Sequence, residues 1–215
     1  MSTPRHSVKG PTGGCWAEAL DQHRAAQRDH IVTVAFELLR ERGMAALTMS
    51  AVAARAGLSR ATVYRYFPDV DALLSAWVGR EMHGSISQIV ADARAITDPL
   101  RRIEHLVATQ AALFERQDHR LSAEHFESEA GSPAVRKEVA AQMAPLRQLL
   151  ADTITEADVA GLLATHVDPS LAADLVLGIL GAVRRHIVGG TLSSTDAVSF
   201  VMTLLRSGWF DATTL

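Results

Sequence analysis

The chain has one cysteine, Cys15. A lone thiol can close neither an internal disulfide nor a cysteine-based metal cage, which excludes a disulfide framework and favours a reducing compartment. No apolar run approaches the roughly 20 residues of a membrane span. The opening MSTPRHSVKGPTGG lacks the apolar middle of a secretion signal. A cytoplasmic protein is therefore expected. An excess of basic charge is missing as well: 21 Lys and Arg stand against 24 Asp and Glu, a formal charge of −3. Any surface for nucleic acid must then be a local patch. Alternating β-branched runs bounded by turns are also lacking, so a sheet is not expected.

What remains is enough for a packed core. Hydrophobic residues make up 48% and charged residues 21% of 215 positions, a length that suits one large domain or two small ones. Residues 1–20, rich in Gly, Pro, Ser and Thr at their start, read as a flexible arm that cannot bury enough apolar surface to offset its ordering entropy. Beyond them apolar residues recur at helical spacing, and the fold class is all-α with about nine helices. Ile31, Val34, Ala35, Leu38 and Leu39 form the stripe of a first helix that stops at Gly43. Two short helices follow: Thr48 stands four residues before Val52, and Ser59 four before Val63. In each the hydroxyl can cap free amides, while Leu47 or Leu58 just outside can staple onto the valine. Pro68 ends the third helix and Asp69 caps a long fourth. Asp98-Pro99, Ser132-Pro133 and Asp168-Pro169 each place a capping side chain before a proline at the first helical position. A short helix over 121–130 and a last one from Ser193 or Ser194 complete the set.

A stripe-bearing helix, a short helix, a turn with glycine and a second short helix make the helix-turn-helix layout, in which the second short helix enters the major groove. The residues TMSAVAARAGLSRATVYRYFPDVDALL resemble the DNA-binding segment of the TetR (tetracycline repressor-like) family throughout their length. The resemblance covers about residues 25–80 in motif detail and the rest only in helix count, length and apolar character. It implies a homodimer with a helix-turn-helix domain over 21–68 and an effector-binding and dimerisation domain over 69–215. Such proteins usually repress, and a small-molecule effector releases them from operator DNA. Carried over residue by residue, the family's DNA contacts fall on Thr48, Arg60, Ala61, Thr62 and Tyr64. Ser50, Ser59, Arg65 and Tyr66 complete the candidate set, although Thr48 and Ser59 are also simple caps. The chemistry suits the roles: hydroxyls reach phosphate oxygens, Arg60 has the planar fork that pairs with a guanine edge, and Thr62 can touch a thymine methyl. Between Arg24 and Arg65, seven arginines (24, 28, 40, 42, 55, 60, 65) outnumber Asp29, Glu37 and Glu41, giving a local positive patch. Two departures stand out. Val70 occupies a position where many relatives have a phosphate-gripping lysine, and Arg60 one where many have glycine.

Trp77, Met82, His105, Phe114, His125, Phe126 and Met143 lie where the family's pocket helices would be and could line an apolar cavity, or simply be core. His125 and Glu129, four apart with Asp118 and His119 nearby, could hold a metal or form a solvated face. Without a nucleophile–base motif or metal signature beside them, neither an enzyme nor a resident metal or cofactor is expected. Leu171, Leu175, Gly178, Ile179, Gly181 and Ala182, with Val201 and Leu205 of the last helix, are the candidate dimer face. In the family, the last two long helices pair into a four-helix bundle. The competing reading is a DNA-tethered dimer that answers to a protein partner instead of a small ligand.

Overall fold

Helix starts are set by side chains that satisfy free backbone amides. The structure, a computed structural model, describes residues 14–116 and 132–210, and among these eight α-helices form. They are α1 (Gly14–Arg42), α2 (Met49–Arg55), α3 (Arg60–Tyr66) and α4 (Val70–Arg94), then α5 (Pro99–Glu115), α6 (Pro133–Val159), α7 (Pro169–Val188) and α8 (Ser194–Trp209). Thr48 Oγ1 accepts from the Ala51 amide at 3.1 Å, Ser59 Oγ from Thr62 at 3.0 Å and Asp69 Oδ1 from Ala72 at 2.7 Å. Asp98, Ser132 and Asp168 cap α5, α6 and α7, each followed by proline in the first helical turn. Ser193 caps α8. Gly43 and Gly57, after α1 and α2, have φ of 75° and 66°, the left-handed region that side chains disfavour. No membrane-spanning helix occurs among the described residues. The short helix expected over 121–130 lies outside the described residues, as do His125, Phe126, Glu129, Asp118 and His119.

The chain divides into two compact units, one ending at Trp77 and the other beginning at Val78. The resemblance implied domains meeting at 68/69; in this division the first two turns of α4, with Leu73, Leu74 and Trp77 buried, belong to the first unit. The Trp77 ring stacks on Phe36 with centroids 4.4 Å apart, which fastens this stretch to α1. The first helix begins at Gly14, inside the segment whose composition suggested an arm.

In the second unit α5 is the central helix, touching α6, α7 and α8. Its Ile103, Leu106, Val107 and Phe114 are buried with Leu146, Leu150 and Ile154 of α6, Val176, Leu180 and Val183 of α7, and Val201, Met202 and Leu205 of α8. Arg102 is 8% exposed and ties α5 to α6: its Nε donates to the Ile96 carbonyl at 2.8 Å, and its Nη1 to Glu156 at 2.7 Å and Thr153 at 3.3 Å. Arg147 on α6 pairs with Asp174 on α7. That bond holds the Asp174 carboxyl below its ordinary range and raises the guanidinium.

The outer faces of α7 and α8 correct one expectation. Leu171 and Leu175 are exposed, as are Gly178 and Ala182, with Ile179 and Gly181 half-buried. Val201 and Leu205, expected to face a second copy, are buried in the chain's own core, because the side of α8 that meets α5 carries them. The outward side of α8 presents Phe200 and Leu204, 54% and 45% exposed.

Candidate nucleic-acid interface

The inward residues of α2 and α3 decide what faces outward. Val52 and Val63 are fully buried. With Val63 turned in, the seven residues of α3 put Arg60, Ala61, Tyr64 and Arg65 on one exposed face, as positions i, i+1, i+4 and i+5 must be. The structure thus brings four of the expected contact residues together. Arg60 has neither a hydrogen bond nor an ion pair to any described residue, and Tyr64 is 45% exposed. Ser50 and Thr48 are exposed at the start of α2. The remaining expected contacts are occupied within the chain. Ser59 and Thr62 share a hydroxyl–hydroxyl bond of 2.8 Å. Tyr66 is half-buried, and its Oη donates to Gln27 Oε1 at 2.7 Å.

α1 holds this face from behind at several points. Its Gln27 grips the end of α3, its His30 Nε2 lies 3.4 Å from the Ala56 carbonyl in the turn, and its Arg28 guanidinium sits 5.1 Å from the centroid of the Phe67 ring. The end of α2 is clamped by a two-pronged bond from Arg55 to Glu41, at 2.9 and 2.7 Å, with Glu37 at 3.8 Å. That bond lowers the Glu41 carboxyl from its ordinary value and raises the Arg55 guanidinium. The positive patch is consequently narrower than the arginine count implied. Arg55 is neutralised by α1, Arg24 pairs with Asp21, and Arg65 lies over the Tyr66 ring, which leaves Arg60 as the unengaged cation of α3.

Sequence reasoning did not single out Gln27 or Arg55 for these roles. A bond across 39 residues leaves no local trace, whereas Glu37 and Glu41, one turn apart on α1, were a readable acidic pair awaiting a cation.

Residues 31–77 match the family described as bacterial regulatory proteins, tetR family. The amino-terminal unit is a tetR-family helix-turn-helix domain. An uncharacterised helix-turn-helix-type transcriptional regulator of Mycobacterium tuberculosis is 33% identical over 136 residues, covering 61% of this chain and 65% of that relative. The match thus spans just under two thirds of the relative's length. A TetR/AcrR-family transcriptional regulator from Thermobifida fusca superposes with a TM-score of 0.66 at 25% identity, covering 85% of this chain and 98% of that one. A regulator from Saccharomonospora viridis, solved in complex with choline, superposes with a TM-score of 0.68 at 18% identity, covering 87% and 99%. The likeness of fold extends through both units.

Of the residues expected to line a pocket, Trp77 falls in the first unit and Met82, His105, Phe114 and Met143 in the second. Trp77 belongs to the amino-terminal core. Met82 and Met143 are half-buried against the core of the second unit, and Phe114 is buried there with the Arg184 guanidinium 5.9 Å from its ring centroid. His105 is half-buried, and its Nε2 is buried without a hydrogen-bond partner among the described residues. Among the described residues no group of three or more His, Cys, Asp or Glu side chains is placed to hold a metal.

Proposed function

We propose that the chain regulates transcription by binding duplex operator DNA as a homodimer through α3, and that a small-molecule effector held in the carboxy-terminal unit releases it. The observation that carries this is the face of Arg60, Ala61, Tyr64 and Arg65, exposed on a helix whose opposite side is locked into a tetR-family domain. An unpaired guanidinium and a projecting phenol suit a groove edge and its phosphates. Because Arg60 stands where many relatives have glycine, the operator preference does not carry over from them. Two copies joined through α7 and α8 would set their recognition helices about 34 Å apart, the spacing of successive major grooves. Leu171, Leu175, Phe200 and Leu204, all exposed, support that junction. Effector release is supported by the choline complex of the Saccharomonospora viridis regulator, whose fold this chain shares. An effector acts only by binding the DNA-incompetent conformation more tightly than the competent one.

The test is a gel-shift titration on duplex taken from upstream of the chain's own gene. The protein should bind with nanomolar affinity that weakens steeply with salt, and Arg60→Ala with Tyr64→Ala should reduce affinity at least ~100-fold. Unchanged binding by that double variant would reject the assigned contacts.

A further inference from the structure

Gln110 sits where the helical pattern of α5 calls for an apolar residue. Ile103, Leu106 and Val107 precede it on the same stripe, Ala111 and Phe114 follow, and all of them are buried. Gln110 itself is 3% exposed, and its Nε2 is buried without a hydrogen-bond partner among the described residues. The side-chain amide has two N–H donors, and a buried donor left unmade costs more than an ordinary bond contributes. Interiors seldom keep such a group, since an apolar side chain of the same size fills the space without the penalty. A second polar atom, His105 Nε2, is in the same condition one to two turns earlier on the same helix. The two lie in the unit where the proposed function places the effector.

We propose that Gln110 selects the effector: an apolar molecule that presents an oxygen acceptor, a carbonyl or a carboxylate, to the Gln110 amide inside the carboxy-terminal unit. The assignment rests on the effector-release reading above. It specifies the class of molecule by the bond it must accept, because an apolar stripe supplies affinity without direction and the amide donor set into it supplies the direction. A molecule of the same shape without the acceptor leaves the amide unpaired and binds more weakly.

Acetophenone and ethylbenzene test this, since they have nearly the same shape and differ by a carbonyl in place of a methylene; benzoate tests the carboxylate. In titration calorimetry the full chain should bind acetophenone or benzoate about tenfold tighter than ethylbenzene, the ratio a single hydrogen bond supplies. Gln110→Leu and Gln110→Met should keep the helical circular dichroism and an equal or higher Tm, and should bind acetophenone and ethylbenzene alike. Equal affinities in the unsubstituted protein, no binding of either oxygen-bearing probe, or a preference that survives both substitutions would overturn the proposal. So would a lowered Tm for both variants together with no preference in the unsubstituted protein, the signature of a structural water on the amide. Gel shifts with acetophenone or benzoate separate this inference from the reading beneath it. A Gln110-dependent preference that leaves DNA affinity untouched ends the release reading and keeps the site. Release of DNA from the protein and both variants alike ends the site and keeps the release reading.

Discussion

The two units leave different side chains uncovered. On α3 the outward face carries Arg60, Ala61, Tyr64 and Arg65, whereas α7 exposes Leu171 and Leu175, and α8 exposes Phe200 and Leu204. A guanidinium in water is at ease and awaits nothing, so its exposure points to function only because the opposite side of its helix is fixed in place. Large apolar side chains are tolerated singly on a surface. Two pairs, each one helical turn apart on consecutive helices, are more than the single exposed apolar side chains that a surface ordinarily carries. Under the proposed function the first face would receive an anion that arrives and leaves, and the second would be covered by another copy.

The largest effect belongs to the interior against which that second face is measured. Leu106→Ala, at a position 1% exposed, should lower the unfolding free energy by about 3 kcal/mol in urea titration, through lost transfer energy and the cavity left behind. A loss no greater than that of a surface truncation would erase the contrast between the inside and outside of this unit. Next, Phe200→Asp with Leu204→Asp should raise the dimer dissociation constant at least ~100-fold, about 2.7 kcal/mol, in sedimentation equilibrium, with helicity kept. A double variant that remains dimeric would return the patch to ordinary surface.

Gly178→Ala sharpens the comparison, because its two readouts should move in opposite directions. A Cβ there meets nothing within 4 Å among the described residues, so the helix gains up to about 1 kcal/mol of propensity. A second helix packed closely against this position would be pushed away, and association should weaken while the monomer stabilises. If both strengthen, the close approach lies elsewhere. The smallest effect is electrostatic and belongs to the amino-terminal unit. Because Arg55 depresses the Glu41 carboxyl in the folded chain, the pair's contribution is present above the ordinary carboxylate range and fades as pH falls through the lowered value. Glu41→Gln should flatten stability between about pH 3 and 6, and added salt should mimic it. An unchanged acid limb would show that Arg55 adds nothing to holding α2.

Where the chemistry is local the sequence was easy to read. Asp98, Ser132 and Asp168 before their prolines, Ser193, and the paired Thr48 and Ser59 all mark helix starts, because a cap needs only the next three residues to act. The exposed face of α3 was readable for the same reason: once Val63 points inward, helical geometry settles where its neighbours go. Which side of α8 turns inward was not. Val198, Val201, Met202 and Leu205 recommend one side and Phe200 and Leu204 the other, and only the presence of α5 decides. Trp77 reads equally as pocket or core until Phe36 is seen against it. The arginine count overstated the patch, since a charge is spent when a carboxylate 14 residues away comes to meet it. Gln110 was visible as a polar residue on an apolar stripe, a mismatch that periodicity should have flagged.

The bond from the Tyr66 phenol to Gln27 joins two uncharged groups. Ionic strength, which erodes every grip on a phosphate, leaves such a link almost untouched. The last turn of α3 therefore keeps its shape across salt conditions in which its hold on a duplex would fade. Under the proposed function, rising salt would loosen the hold on DNA while this one link behind the recognition helix persists.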